Sequence, residues 1–118
     1  MKTKGQMEAE ISEAIVKFEK EYMGRGPEET RAHILDDMVL VRLRGVLTPA
    51  EKQLAKTEDI RGRALIKQAR MELLENAREL LAAIVKDVTG KRVRSMHADI
   101  STRTGERVVI FVLEGLLE

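Results

Sequence analysis

The sequence predicts an α+β domain, a two-layer sandwich in which two β-hairpins form a four-stranded sheet packed against helices, one of them long. Three observations predict it. Apolar residues recur at three- and four-residue intervals over 6–23 and again over 64–89. Two pairs of alternating runs, within 30–44 and 93–113, are each interrupted by turn residues. The order helix, hairpin, two helices, hairpin contains no linker, so 6–118 reads as a single domain.

The first helix is predicted by Met7, Ile11, Ala14, Ile15, Phe18 and Tyr22, which form one stripe, with Glu8, Glu10, Glu13, Lys17, Glu19 and Lys20 on the other face. Gly24 suits the left-handed position that ends a helix, and Pro27 keeps the pattern from resuming. Thr30, Ala32 and Ile34, then Val39, Val41 and Leu43, alternate as two strands around Asp36-Asp37, a tight turn without the usual glycine. Gly45 closes the second strand. Thr48-Pro49-Ala50-Glu51 combines a hydroxyl cap, a proline at the first helical position and an acid at the third, which together form a capping box. A short helix starts there, with Leu54 as its apolar contact and a break expected over Thr57-Glu58-Asp59 and Gly62.

A much longer helix is then expected from Ala64 to Thr89, with Ile66, Ala69, Leu73, Ala77, Leu80, Ile84 and Val88 at near-heptad spacing. At 1.5 Å per residue it would span roughly 39 Å, against a radius of gyration of about 13 to 14 Å for a chain of this size. Gly90 caps it. The last hairpin joins Val93–Ser101 to Arg107–Leu113 through Thr102-Arg103-Thr104-Gly105-Glu106. Val108, Ile110 and Val112 face one way and Val109, Phe111 and Leu113 the other, so both faces of the final strand are apolar and one is expected in an interface or under cover. A homo-oligomer, with a dimer favoured, follows from that strand and the long helix.

Composition excludes several classes. Charged residues make up 35% and hydrophobic ones 43%, as in a folded soluble domain rather than a disordered chain. The net charge of +1 leaves no excess of positive charge for nonspecific nucleic-acid binding, and two phenylalanines and one tyrosine supply no stacking platform, so no specific nucleic acid is expected. With no cysteine there is no disulfide or thiolate chemistry. The longest apolar stretches run to about six residues where a membrane span needs roughly 20, so direct transmembrane insertion is not expected. Nor does a signal segment follow the basic amino terminus, and a cytoplasmic location is the expectation.

Candidate sites are few, and each has a plain structural reading beside the chemical one. Gly24-Arg25-Gly26-Pro27 is either a helix stop with a turn or a small anion-binding loop in which Arg25 offers a fork of donors. Arg61, Arg63, Lys67 and Arg70 form the strongest basic cluster and Lys91, Arg92 and Arg94 a second; each suits either phosphate or surface ion pairs with nearby glutamates. His97 and Asp99 lie two residues apart on one side of a strand, a polar site that would need a facing acid such as Asp36 or Asp37 for proton transfer or metal binding. No motif assigns a catalytic residue, a cofactor or a metal.

The order Tyr22-Met23-Gly24-Arg25-Gly26-Pro27, Asp37 before an apolar strand, Gly45-Val46-Leu47-Thr48-Pro49-Ala50-Glu51, Thr89-Gly90, Ala98-Asp99-Ile100 and Gly105-Glu106 resembles the MpsC-like family, from about Met7 to Leu113. That family is described as part of a sodium-translocating, membrane-potential-generating system. Gly24, Arg25, Gly26 and Pro27 match its characteristic loop and Asp99 its acidic position in the late strand, and no catalytic residue is carried over. The resemblance implies a noncatalytic accessory or regulatory protein with a membrane-protein partner, peripheral at the inner face of the membrane. The alternative is a sensor domain for a small anion or phosphometabolite, and a third reading is an enzyme built on His97, Asp99 and a facing acid.

Overall fold

The computed structural model describes residues 2–56 and 60–117. Along the chain run α1 (Lys4–Tyr22), β1 (Glu29–Leu35), β2 (Met38–Arg44), α2 (Pro49–Lys56), α3 (Ile60–Asn76), α4 (Arg78–Thr89), β3 (Val93–Ile100) and β4 (Arg107–Leu113). The strands form one antiparallel sheet in the order β1-β2-β4-β3, so the two hairpins meet along a central β2–β4 seam. This is the α+β sandwich that the alternating and helical runs predict.

Alternation decides which side of the sheet becomes the core. Val39, Val41 and Leu43 of β2 and Val109, Phe111 and Leu113 of β4 point to the helical side and are buried. Met7, Ile11, Ile15 and Phe18 of α1 and Leu81 and Val85 of α4 close over them. Each such side chain removed from water contributes roughly 1.5–3 kcal/mol, which makes this layer the main source of stability. The opposite face carries Met38, Leu40, Val108, Ile110 and Val112, all half-buried.

The punctuation behaves as its chemistry requires. Met23 caps α1 with its N–H on the Glu19 carbonyl at 3.0 Å, and Gly24 follows at φ 83. Asp36 takes φ 56 in a two-residue hairpin loop between Leu35 and Met38, a conformation that a short polar side chain tolerates. Thr48 Oγ1 accepts from the Glu51 N–H at 3.2 Å while the Thr48 N–H donates to Glu51 Oε1 at 2.9 Å, the reciprocal capping box. Gly90 ends α4 at φ 76 with its N–H on the Lys86 carbonyl at 2.7 Å.

Three expectations are corrected. The continuous helix from Ala64 to Thr89 is two helices, α3 beginning at Ile60 and giving way at Ala77, whose φ −95 and ψ 3 fall outside the helical well. The cause is a change of buried face: α3 buries Gly62, Ile66, Arg70 and Leu74 at four-residue spacing, whereas α4 buries Leu81 and Val85. Ala77, only 2% exposed, is small enough to sit at the bend, with its N–H shared between the carbonyls of Leu73 and Leu74 at 3.2 and 3.1 Å. Leu73 and Leu80 of the expected heptad stripe are exposed instead. Glu19, assigned to the solvent side of α1, is buried, while Tyr22, assigned to the core stripe, is 40% exposed and stacks on Phe18. On α2 it is Ala55 that packs on the core, and Leu54 is 43% exposed.

The break expected over Thr57-Glu58-Asp59 lies outside the described residues, and Gly62 sits in the first turn of α3 rather than before it. The molecule measures 49 × 23 × 22 Å with a radius of gyration of 14.7 Å, elongated for a chain of this length.

Candidate functional site

Two ion pairs lie at one end of the core, one tying α1 to the sheet and the other tying α3 to α2. Arg107 occupies the first core-facing position of β4 and is 2% exposed, so its guanidinium must find an anion inside the protein. Glu19, also 2% exposed, reaches it from the last turn of α1, with Arg107 Nη1 donating to Glu19 Oε1 at 2.8 Å. Arg70 of α3, 5% exposed, donates through Nε and Nη2 to Glu51 at 2.9 and 2.5 Å, and through Nη2 to the Val46 carbonyl at 2.8 Å. Glu51 thereby serves two masters, as capping acid of α2 and counter-ion of Arg70.

Burial and pairing pull these groups in opposite directions. Desolvation raises the pKa of Glu19 against the attraction of Arg107 and Arg70. Desolvation likewise lowers that of Arg107, opposed by Glu19 and reinforced by the like charge of Arg70. For Glu51, burial pushes upward, but hydrogen bonds from Arg70 and the Thr48 N–H outweigh it and hold the carboxyl at about 2. Three atoms of the network, Glu19 Oε2, Arg70 Nη1 and Arg107 Nη2, are buried with no hydrogen-bond partner.

The expected site residues are distributed rather than gathered. Arg25 donates through Nη1 to the Leu47 carbonyl at 2.6 Å and lies 4.0 Å from Glu28, so it ties the Gly24–Pro27 turn to the segment before α2. Gly26 packs so closely on the Lys20 side chain that a Cβ there would approach to 2.9 Å. Of the α3 cluster, Arg70 is in the buried network, Lys67 pairs with Asp99 at 3.5 Å, and Arg63 lines a separate cleft, while Arg61 is exposed. His97 contacts Ser95 Oγ at 3.1 Å, and Asp99 accepts from the Ile100 N–H at 2.8 Å. His33 lies in the same cross-strand row as His97 at the other edge of the sheet, about 14 Å away at the usual strand spacing. Among the described residues no group of three or more His, Cys, Asp or Glu side chains is placed to hold a metal ion.

Two concavities border this end of the molecule. An open cleft of about 890 Å³ between α2 and the β3–β4 loop is lined by Arg44, Lys52, Lys56, Arg63 and Arg103 against Glu28 and Glu106. A smaller cavity of about 290 Å³ lies between α3 and β3. Sequence reasoning missed the Glu19–Arg107 pair, although the alternation of β4 carried the signal: a residue in phase with Val109, Phe111 and Leu113 must face the core, and an arginine there needs a carboxylate.

Comparison with known proteins adds to this geometry. Residues 3–115 match the family model described as "Na+-translocating membrane potential-generating system (MpsC)". The chain is 46% identical over 117 residues to the uncharacterized protein YbcI of Bacillus subtilis (strain 168), covering 99% of this chain and 93% of that protein. It is 26% identical over 106 residues to the uncharacterized protein YrhF of the same organism, covering 89% of this chain and 85% of that one. No solved structure matches it.

Proposed function

The chain belongs to the MpsC family, and from that membership we propose that it is a noncatalytic accessory or regulatory protein of a sodium-translocating, membrane-potential-generating system. The family match over residues 3–115 is the observation that carries this reading. No helix among the described residues is long and apolar enough to cross a membrane, which supports a role beside the ion pathway rather than as part of it. In this reading the protein works from the cytoplasmic side and docks on a membrane-embedded partner. Affinity capture of the intact chain from detergent-solubilised native membranes tests it. An integral membrane component enriched over an untagged control is the expected outcome, and recovery of soluble proteins alone rejects it.

A second copy of the chain is the other proposed partner. The face of the sheet away from the helices presents Leu40 beside Ile110 and Met38 beside Val112, a half-exposed apolar centre flanked by Arg31, Arg42 and Asp99. Two such faces related by a twofold axis would bury each other's apolar rows.

The open basic cleft favours a second functional reading, a sensor for a small anion or phosphometabolite. Five basic side chains against two acidic ones give it the charge to hold a phosphate group. Calorimetry with inorganic phosphate and a sugar phosphate tests this, the expected result being binding that Arg63→Ala weakens. Heats indistinguishable from dilution for both compounds would remove the reading.

A further inference from the structure

On the sheet face away from the helices, the strand register arranges side chains in rows that cross all four strands. One row reads His33, Leu40, Ile110 and His97 from β1 to β3, and the next reads Arg31, Arg42, Val108 and Asp99. Opposite charges therefore stand at the two edges of a single row. Neither is locked in place: Arg31 pairs with Glu29 at 2.6 Å and Asp99 with Lys67 at 3.5 Å, but the Arg31 and Asp99 side chains are 71% and 76% exposed, where such pairs hold little.

We infer that two copies of the chain pack face to face about a twofold axis that runs along the strands between β2 and β4, so that Arg31 of each copy pairs with Asp99 of the other. Such a rotation keeps every row at its height and exchanges its two ends. Leu40 then lies over Ile110 and Met38 over Val112, apolar on apolar, while Arg31 lies over Asp99 at both edges. The row beyond obeys the same rule, since Arg44 of β2 and Glu106 just ahead of β4, 3.7 Å apart within one chain, also exchange places. A twofold across the strands is poorer. Pivoting on Ile110, the middle of the three apolar positions of β4, it sets Arg31 over Leu35 and Arg42 over Met38, which buries charge against apolar surface. The roughly 30° rotation between aligned sheets displaces the edge rows by about one residue, within reach of an arginine.

The inference rests on the reading of a second copy as partner and adds the axis and the ion pairs that the reading leaves open. It also has a geometric signature. The same rotation puts His33 of one copy opposite His97 of the other, although the two lie about 14 Å apart within a chain. The twofold across the strands would instead set His33 opposite His33.

The test is crosslinking of the full chain, which has no cysteine of its own. His33→Cys and His97→Cys chains are mixed in equal amounts and treated with a bismaleimide that spans about 10 Å, the spacing of packed sheets. A covalent dimer holding one chain of each kind is expected, with little from either variant alone. A second arm reads the charges. Arg31→Glu should weaken the dimer by about tenfold or more, and Asp99→Arg in the same chain should recover most of that loss. Damage confined to the pairs with Glu29 and Lys67 would not be repaired by the second change. Should the charge variants not fold, the crosslink decides alone. A dimer by light scattering that gives no mixed crosslink, or that joins His33→Cys to itself, overturns the inference and leaves the second-copy reading standing. A monomeric wild type removes both, and if Ile110→Glu then loses the captured membrane component, the face belongs to that partner instead.

Discussion

Glu19 and Arg107 are separated by 88 positions in sequence and by 2.8 Å in space, and neither has a water-exposed alternative. Removing one partner of such a pair strands the other charge in the core. Glu19→Ala or Arg107→Ala alone is therefore expected to lower stability by roughly 3–5 kcal/mol, while Glu19→Leu combined with Arg107→Met should recover most of it. Urea unfolding of the three variants measures this, and additive losses in the double variant would contradict it. Glu51 makes the opposite prediction in pH. Its folded pKa of about 2 lies below its ordinary value of 4.5, so its stabilisation is present above pH 4.5 and is lost as pH falls toward 2. After allowance for solvent around this half-buried group, the acid-labile part is on the order of 2 kcal/mol. Glu51→Gln should flatten the decline of the thermal midpoint between pH 4.5 and 2, and an unaltered slope would rule the ion pair out as its source. At this scale the sequence was only partly legible. Neutral rows of β4 announced themselves by alternation, but Glu19 beside Lys20 on a helix carries no sign of burial until its partner on β4 is located.

Elements were the most legible level, because their ends are written in residues with a single conformational purpose. Thr48-Pro49-Ala50-Glu51 forms its capping box, and Gly24 and Gly90 take the left-handed conformations that end α1 and α4. The bend at Ala77 was hidden, since alanine is the strongest helix former and nothing local signals a stop. What divides α3 from α4 is tertiary: their apolar stripes belong to different neighbours, and only the packed core distinguishes them. Two glycines allow the local and tertiary costs to be separated. A Cβ at Gly90 meets nothing within 4 Å, so Gly90→Ala should cost only the strain of φ 76, about 1 kcal/mol. At Gly45, with φ 68, a Cβ would approach Glu28 to 2.5 Å, so Gly45→Ala should cost more than Gly90→Ala in the same denaturation series. Equal losses would mean that the Glu28 side chain moves aside freely.

At the scale of the whole molecule, the near balance of charge, the absence of cysteine and the interleaved helices and hairpins delimited a small α+β domain, and the assembled order of motifs pointed to its family. Strand order, the half-exposed apolar face and the two buried ion pairs required coordinates. That face gives the assembly prediction: light scattering should return a dimer mass at concentrations of tens of micromolar, and Ile110→Glu should return a folded monomer. A wild-type monomer under those conditions would contradict self-association through the sheet. The accessory role is tested most directly by sodium uptake into inverted membrane vesicles prepared from cells lacking this protein. Reduced uptake that is restored when the purified chain is added back is the predicted result, and uptake that is identical with and without the protein would contradict it.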